Sequence, residues 1–285
     1  MTPLVPNCVV VRVPGKVNLQ LSVGPKEDDN FHGVVTVFQA ISLFDDVTVV
    51  RGDSGTGISV QILGDHTHGV PSDGTNLSAR AAALMCEKYD LSMDLSIEIK
   101  KSIPVAGGMA GGSADAAATI VAIDALFSLG LSRDEMHEIA AMLGSDVPFM
   151  LAGGTAVGRG RGDQVTSALS RGTYHWVLAL STAGLSTPAV YGECDRLRAG
   201  MDVATPHVND QLLQALLAAD PVALGKGLIN DLQAAACSLR PALRLILDVD
   251  SLAAQYNLTL DNVIINTASD SSSATVNQTA GAATA

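Results

Sequence analysis

A glycine-rich segment in the first half of the chain has the composition of a phosphate-binding loop. Residues 103–117 read IPVAGGMAGGSADAA, with four glycines between Gly107 and Gly112. Glycine lets a backbone turn tightly and approach a ligand closely. A helix is predicted to begin at Ser113, so its N–H groups and positive dipole end would face the loop. These features predict a cradle for phosphate groups, and the alternative is a tight turn that only packs a helix closely.

Two further side chains could act on a hydroxyl or a phosphoryl group. Lys16 lies in an alternating segment that predicts a strand with Lys16 and Asn18 on one face. Asp146 follows a predicted helix and precedes Pro148. The ordinary roles of such residues are a solvated edge lysine and a turn or helix-capping aspartate. The functional alternative is a lysine and a carboxylate beside a bound hydroxyl, which sequence spacing alone cannot bring together.

The elements around these residues are predicted to be both strands and helices. The first sixty or so residues are rich in strand patterns, whereas the chain from 76 onward alternates helical and strand-like segments. Helices are predicted over 76–89, 113–129 and 132–143, the last with a capping box formed by Ser132 and Glu135. A glycine-rich run at 158–162 marks a loop or a domain boundary, and a boundary is expected between about 153 and 172.

Composition excludes several classes of protein. The 285 residues carry a net charge of −12, which argues against nonspecific binding to nucleic acid. No apolar stretch is long enough to predict a membrane helix, and no basic segment opens the chain as in a signal peptide. The four cysteines form no CxxC pair, and no further ligand joins His66 and His68, so neither a zinc site nor any other protein-held metal is predicted. We therefore expect a cytoplasmic protein with reduced thiols.

Three segments together resemble the motifs of the GHMP small-molecule kinases. They are PGKVN at 14–18, PVAGGMAGGS at 104–113 and LGSDVP at 143–148. Within that family the chain is similar to actinobacterial members whose substrate is a cytidine diphosphate-linked methylerythritol. The stretch 30–39 resembles the segment that contacts cytidine in those proteins. The resemblance extends from about residue 9 to about residue 245.

The resemblance implies a fold and an activity. The fold would have two domains of α+β type: an N-terminal domain with a mixed sheet and helices (1–160), and a C-terminal α/β domain (161–247). ATP and substrate would bind in the cleft between the two domains. The reaction would be ATP-dependent phosphorylation of the substrate's 2-hydroxyl in non-mevalonate isoprenoid synthesis, with Mg²⁺ bridging the β- and γ-phosphates. The partner would be this small molecule, and the protein a monomer or homodimer.

Residue roles also follow from the resemblance. Asp146 would orient and deprotonate the hydroxyl, and Lys16 would lower the pKa of that hydroxyl and balance charge on the transferred group. On the substrate side, His32 would pair with the polar edge of cytosine, and Phe31 stands where the family usually has a stacking tyrosine. Asn18 and Thr187 would line the same side. The residues that would hold the ATP phosphates are Pro104, Gly107, Gly108, Ala110, Gly111, Gly112 and Ser113.

The end of the chain departs from the family pattern. A third glycine-containing motif is expected at about 265–275, where the chain instead reads IINTASDSSSAT over 264–275. The last twenty residues contain a single charged residue, Asp270, and their composition is typical of disorder. We therefore predict that 248–285 is a disordered tail produced by a frameshift, a truncation or a replacement, and that the C-terminal domain is incomplete.

Two alternatives to this kinase remain open from the sequence. The first is a nucleotide-binding homologue whose altered third motif prevents catalysis. The second is a GHMP kinase for another small alcohol, such as mevalonate or homoserine.

Overall fold

The computed structural model describes residues 6–105, 107–180, 185–246, 260–267 and 274–280. These residues form two compact units. The first contains residues 6–16, 40–105 and 109–153, and the second contains 17–39, 107–108 and the described residues from 154 onward.

Two long strands, β1 (Cys8–Lys26) and β2 (His32–Arg51), each pass from one unit into the other. For this reason neither unit is a continuous stretch of chain. The units therefore do not coincide with the contiguous domains 1–160 and 161–247, which follow the family pattern and stay a prediction.

In the first unit, β4 (Leu95–Lys101) lies between β2 and β3 (Ile58–Gly64). It runs antiparallel to β2 and parallel to β3. Side chains along β4 alternate between buried and exposed, as expected for a strand with one face on the core. The alternation carries Lys101 onto the buried face that also contains Leu95, Ile97 and Ile99.

The helices of the first unit, within the described residues, are α1 (Leu77–Tyr89), α2 (Gly111–Phe127), α3 (Arg133–Leu143) and α4 (Val147–Ala152). The predicted capping box at the start of α3 is confirmed. α2 begins two residues earlier than predicted, because the loop ends at Ala110 in the left-handed conformation. The last loop glycines therefore form the first turn of this helix.

In the second unit, β5 (Thr155–Arg159) pairs antiparallel with β2 and with β6 (Gln164–Ser167). β1 pairs parallel with the short β8 (Ile229–Asn230). The helices described here are α5 (Thr187–Leu197), α6 (Asp210–Ala218), α7 (Pro221–Gly227), α8 (Gln233–Leu239) and α9 (Leu243–Ile246).

Two segments of the predicted tail are strands. β10 (Ala274–Ala280) lies between β7 (Trp176–Leu180) and β9 (Leu260–Thr267), antiparallel to both. The prediction that 248–285 is a disordered tail stays a prediction, since the rest of this range lies outside the described residues. The run VII at 263–265 is β-branched, which favours the strand β9. Residues 268–273, within the position expected for the third motif, lie outside the described residues.

Candidate active site

Lys16 and Asp146 meet in the first unit. Lys16 lies within β1, and Asp146 directly precedes α4. The Nζ atom of Lys16 lies 3.6 Å from Oδ2 of Asp146, with side-chain exposures of 4% and 16%. Although Asp146 is the N-cap residue of α4, its side chain accepts no capping hydrogen bond. Its carboxylate is directed instead at a buried ammonium group.

The backbone of Lys16 is tied to the glycine-rich loop. The amide of Lys16 donates a hydrogen bond to the carbonyl oxygen of Met109, at 3.1 Å. A Cβ added to the preceding Gly15 would lie 3.4 Å from that same oxygen and 3.5 Å from the side chain of Ile103. The lysine is thus held by both its side chain and its main chain next to the loop.

The loop passes directly into α2 through Ala110. This residue has φ 55° and ψ 38°, and it supplies no side-chain cap. The first N–H groups of a helix have no partner within the helix. Here they belong to Gly111, Gly112 and Ser113, so they and the positive end of the helix dipole can receive an anion.

The two glycines of the first turn differ in their surroundings, which gives a matched pair of variants. A Cβ on Gly111 would lie 3.1 Å from Lys101 Nζ and 3.2 Å from Ile103 Cγ2, whereas one on Gly112 would lie 3.4 Å from Leu77 Cδ1. We expect Gly112→Ala to raise the free energy of unfolding by about 0.5 to 1 kcal/mol. Gly111→Ala should lower it by about 1 kcal/mol because the core there is crowded. Urea denaturation measures both, and a Gly111→Ala variant as stable as Gly112→Ala would contradict the packing described.

Beneath Gly111 lies a buried charge cluster. Lys101 Nζ hydrogen-bonds Oδ2 of Asp45 and, at 2.7 Å, Oδ2 of Asp115. Burial raises the pKa of Asp115 to about 7 against the opposing effect of Lys101, and the nearby Asp45 raises it further. Burial acts to lower the pKa of Lys101, but the two carboxylates outweigh burial and the pKa is raised.

The raised pKa of Asp115 predicts a pH-dependent stability. An unfolded aspartate titrates near pH 4, so between about pH 4 and 7 the folded protein binds the additional proton. The free energy of unfolding should therefore fall as pH rises through this window, by at most about 4 kcal/mol for this group. Asp115→Asn should lack that fall, so its stability relative to the original chain rises from pH 5 to pH 8 in urea denaturation.

The half-buried neighbour Asp46 supplies the control for this measurement. Its hydrogen bond with Arg12 holds the pKa of Asp46 below its usual range. Asp46→Asn should therefore alter the pH profile only on the acid side, below about pH 4. If the free energy of unfolding of Asp115→Asn differs from that of the original chain by the same amount at pH 5 and pH 8, the pKa of Asp115 is not raised.

A second group of polar and aromatic side chains lies in the second unit, around His32. Nε2 of His32 lies 2.7 Å from Oδ1 of Asp195, and Lys26 Nζ lies 3.5 Å from the other oxygen of that carboxylate. The ring of Tyr191 lies 5.2 Å from the His32 ring, centroid to centroid. Thr187, Tyr191 and Asp195 follow one another at four-residue intervals on α5, so they share one face of the helix.

The neighbouring Phe31 is 52% exposed and carries a cation on its ring. The guanidinium of Arg161 lies 3.8 Å from the ring centroid and also forms a 2.6 Å ion pair with Asp29. Asn18 lies elsewhere in this unit, where its amide donates to Thr36 Oγ1 at 2.7 Å. Arg161 comes from the glycine-rich run that the sequence had suggested only as a boundary.

Comparison with known proteins identifies the family. The family described as GHMP kinases N terminal domain matches residues 76–154. The chain is 52% identical over 238 residues to 4-diphosphocytidyl-2-C-methyl-D-erythritol kinase of Mycolicibacterium smegmatis, covering 83% of this chain and 73% of the relative. It is 51% identical over 253 residues to the same enzyme of Thermobifida fusca, covering 87% and 82%.

The chain belongs to the 4-diphosphocytidyl-2-C-methyl-D-erythritol kinase family. The predicted membership, the GHMP fold of α+β type and the class of small-molecule kinase are confirmed. Kinases of this family are ATP-dependent, so ATP is the phosphoryl donor of the class.

Solved structures agree on the fold. A crystal structure of 4-(cytidine 5'-diphospho)-2C-methyl-D-erythritol kinase aligns with a TM-score of 0.67 at 24% identity, covering 96% of this chain and 100% of that one. L. major mevalonate kinase in complex with R-mevalonate aligns with a TM-score of 0.72 at 15% identity, covering 100% and 91%. At sequence identities this low, the structural similarity shows the GHMP fold and gives no information about the substrate.

The predicted site residues fall into two groups, one in each unit. In the first unit the structure brings Lys16 to Asp146 and places the loop residues from Ala110 to Ser113 at the start of α2. Gly107 and Gly108, of the same loop, are assigned to the second unit. That unit also contains the substrate-side residues Asn18, Phe31, His32 and Thr187. The roles of all these residues stay predictions.

Sequence reasoning missed Tyr191, Asp195 and the Asp45–Lys101–Asp115 cluster. The four-residue spacing from Thr187 along α5 could have revealed the first two. The apolar alternation of β4 could have shown that Lys101 is buried. Nothing in the sequence marks Asp45 as the partner of Lys101.

Metal binding and membrane insertion lack their usual signals in the described residues. No group of three or more His, Cys, Asp or Glu side chains in that part of the chain could hold a metal ion. None of the helices there combines the length and apolar character needed to cross a membrane.

Proposed function

We propose that this chain transfers the γ-phosphoryl group of ATP to the 2-hydroxyl of 4-diphosphocytidyl-2-C-methyl-D-erythritol. The observation that carries the proposal is the 3.6 Å approach of Lys16 Nζ to Asp146 Oδ2, next to a loop that opens a helix. A lysine and a carboxylate so placed can prepare a hydroxyl for attack on a phosphoryl group.

Asp146 and Lys16 have different roles in the transfer. Asp146 takes the proton of the 2-hydroxyl as its oxygen forms a bond to the γ-phosphorus. The bond from that phosphorus to the oxygen bridging the β- and γ-phosphates breaks, and ADP leaves with this oxygen. The ammonium of Lys16 favours the ionised hydroxyl and balances charge on the transferred group, while the N–H groups that open α2 hold phosphate oxygens.

Mg²⁺ is the expected companion of ATP in this reaction. Bound Mg²⁺ would neutralise charge on the transferring phosphoryl group. Mg²⁺ in kinases is held mainly by phosphates and water with one or two carboxylates. A single, partly exposed carboxylate such as that of Asp146 fits that mode of binding.

His32 supports a cytidine-bearing substrate. Its hydrogen bond with Asp195 fixes one ring nitrogen, so the other can face the polar edge of a base. Tyr191 provides an aromatic surface next to it. A small-molecule partner, a cytoplasmic location and a monomeric or homodimeric state complete the proposal.

Removing the His32 side chain tests this substrate assignment. We expect His32→Ala to raise the KM for the cytidyl substrate about tenfold, the equivalent of one or two hydrogen bonds, and to leave the KM for ATP unchanged. The exposed His175 provides the control, since His175→Ala should alter neither constant. Steady-state kinetics measure both constants. An unchanged KM for the cytidyl substrate in His32→Ala would show that His32 does not contact the base.

The decisive experiment is ADP release from the purified chain with ATP, Mg²⁺ and 4-diphosphocytidyl-2-C-methyl-D-erythritol. Mevalonate and homoserine are offered in parallel, with a reaction lacking any acceptor as the blank. Release that depends on the cytidyl substrate supports the proposal. Release with mevalonate or homoserine alone would assign another alcohol, and ATP binding without any release would indicate the catalytically impaired homologue.

A further inference from the structure

We propose that Lys101, held between Asp45 and Asp115, positions the glycine-rich loop for ATP. The proposal rests on the ATP-dependent activity described above and adds three positioning residues to it. None of the three needs to touch the substrates, because the cluster would act through the loop and through the backbone of Lys16.

The cluster is a fully internal arrangement of charges. Lys101 reaches the core because β4 alternates, and it is 3% exposed, while Asp45 and Asp115 are 0% and 2% exposed. A charge buried to this extent is costly unless it is paired and hydrogen-bonded. Lys101 satisfies this requirement through both carboxylates. Removing any partner therefore changes the environment of the other two.

The three side chains connect the two flanks of the loop. Asp45 Oδ1 accepts hydrogen bonds from the amides of Ser102 and Ile103, at 2.6 and 2.8 Å, just before the loop begins. Asp115 lies in α2, one helical turn after Gly111, where the loop ends. Lys101 Nζ joins the two carboxylates. The entry to the loop and the helix that follows it are thus fixed to one ammonium group.

The same contacts extend to the proposed catalytic lysine. The side chain of Ile103 lies 3.5 Å from the Cβ position of Gly15 and 3.2 Å from that of Gly111. The carbonyl of Met109 accepts the hydrogen bond of the Lys16 amide. A shift of Ile103 or of the loop would therefore also move the main chain that carries Lys16.

The two carboxylates are not equivalent, and this difference sharpens the test. Asp45 uses both oxygens as acceptors, for two amides and for Lys101. An asparagine at position 45 would place its NH₂ group, which is a hydrogen-bond donor, against one of these donors. Asp115 accepts only through Oδ2, since its buried Oδ1 has no hydrogen-bond partner in the structure as described. An asparagine at 115 can place its nitrogen at the Oδ1 position and keep the bond to Lys101.

The experiment measures binding of ATP with Mg²⁺ to the full chain by isothermal titration calorimetry, without acceptor. We expect Lys101→Met and Asp45→Asn to weaken binding about tenfold or more, and Asp115→Asn to stay within about threefold of the original chain. Neighbouring residues supply matched controls, Lys100→Met and Asp46→Asn, which should bind ATP as the original chain does. Circular dichroism verifies that each variant is folded.

Steady-state kinetics separate positioning from a loss of folded protein. In Lys101→Met and Asp45→Asn the KM for ATP should rise with the dissociation constant, whereas the KM for the cytidyl substrate should stay within about twofold. A smaller folded fraction would lower the apparent kcat and leave both KM values unchanged, which would overturn the proposal.

Two results of the calorimetry would overturn the proposal that Lys101 positions the loop. One is an unchanged ATP affinity in folded Lys101→Met and Asp45→Asn. The other is an Asp115→Asn variant that binds ATP as weakly as Asp45→Asn. If Lys101→Met does not fold, Lys101→Arg retains the charge with a wider head group. That variant should bind ATP at least about threefold more weakly, and unchanged affinity would refute the proposal.

The same experiment distinguishes this proposal from the proposed function. Because calorimetry requires no phosphoryl transfer, an original chain that binds ATP but phosphorylates nothing would refute only the proposed function.

Discussion

Asp146→Asn should lower kcat by about 10²- to 10⁴-fold, the range expected when a general base is removed. Asparagine has the same shape but cannot accept the proton of the substrate hydroxyl. Asp146 makes no capping hydrogen bond to α4, so this helix should be preserved. The measurement is the rate of ADP release at saturating ATP and cytidyl substrate.

Binding and stability provide the controls for the Asp146 variant. The dissociation constant for ATP and the melting temperature of Asp146→Asn should remain close to those of the original chain. A matched change at an exposed carboxylate, Asp134→Asn in the first turn of α3, should leave kcat as it is. If Asp146→Asn retains more than about a tenth of the original kcat, the proton is taken by another group.

Lys16→Met should lower kcat by about 10²- to 10³-fold, as expected when a preorganised positive group is removed from a buried site. The side chain of Lys16 is almost fully buried, and methionine is similar in length and apolar, so it should occupy the same space. The main-chain hydrogen bond from residue 16 to Met109 does not depend on the side chain. The loop should therefore keep its place, and the KM for ATP should change much less than kcat.

An exposed lysine supplies the comparison for Lys16. Lys88 lies near the C-terminal end of α1, and Lys88→Met should have no effect on turnover. Lys16→Arg should not restore the activity, since a planar guanidinium differs in shape and hydrogen-bonding geometry from a compact ammonium. A Lys16→Met enzyme with near-normal kcat and raised KM for ATP would make Lys16 a nucleotide-binding group instead.

Much of the family assignment was available from short segments of sequence. Each of the segments around Lys16, Gly111 and Asp146 can be recognised from a few consecutive residues. They are a lysine in a strand pattern, a run of glycines before a helix, and an aspartate before Pro148. Their resemblance to the GHMP kinases led to the fold and the reaction class that the relatives confirm. The capping box of α3 is local in the same way and was also predicted correctly.

The end of the chain carries two different signals. The composition of the last twenty residues predicts disorder, yet β9 and β10 are paired strands, and β10 also pairs with β7. Strand pairing depends on backbone groups and on an available neighbouring edge, and neither is visible in a count of charged residues. Composition alone therefore gives no information on these pairings, and the disordered tail stays a prediction.

The sequence by itself determined the family to which the chain belongs, and it predicts a phosphate-binding loop and the residues that act on a hydroxyl. Only the tertiary structure decided that Lys16 lies against Asp146, that Asp195 accompanies His32, and that Asp45 and Asp115 enclose Lys101. The physical reason is the range of the interactions. Turns, caps and periodicity arise between near neighbours in the chain, whereas a buried ion pair depends on which distant elements the hydrophobic core brings together.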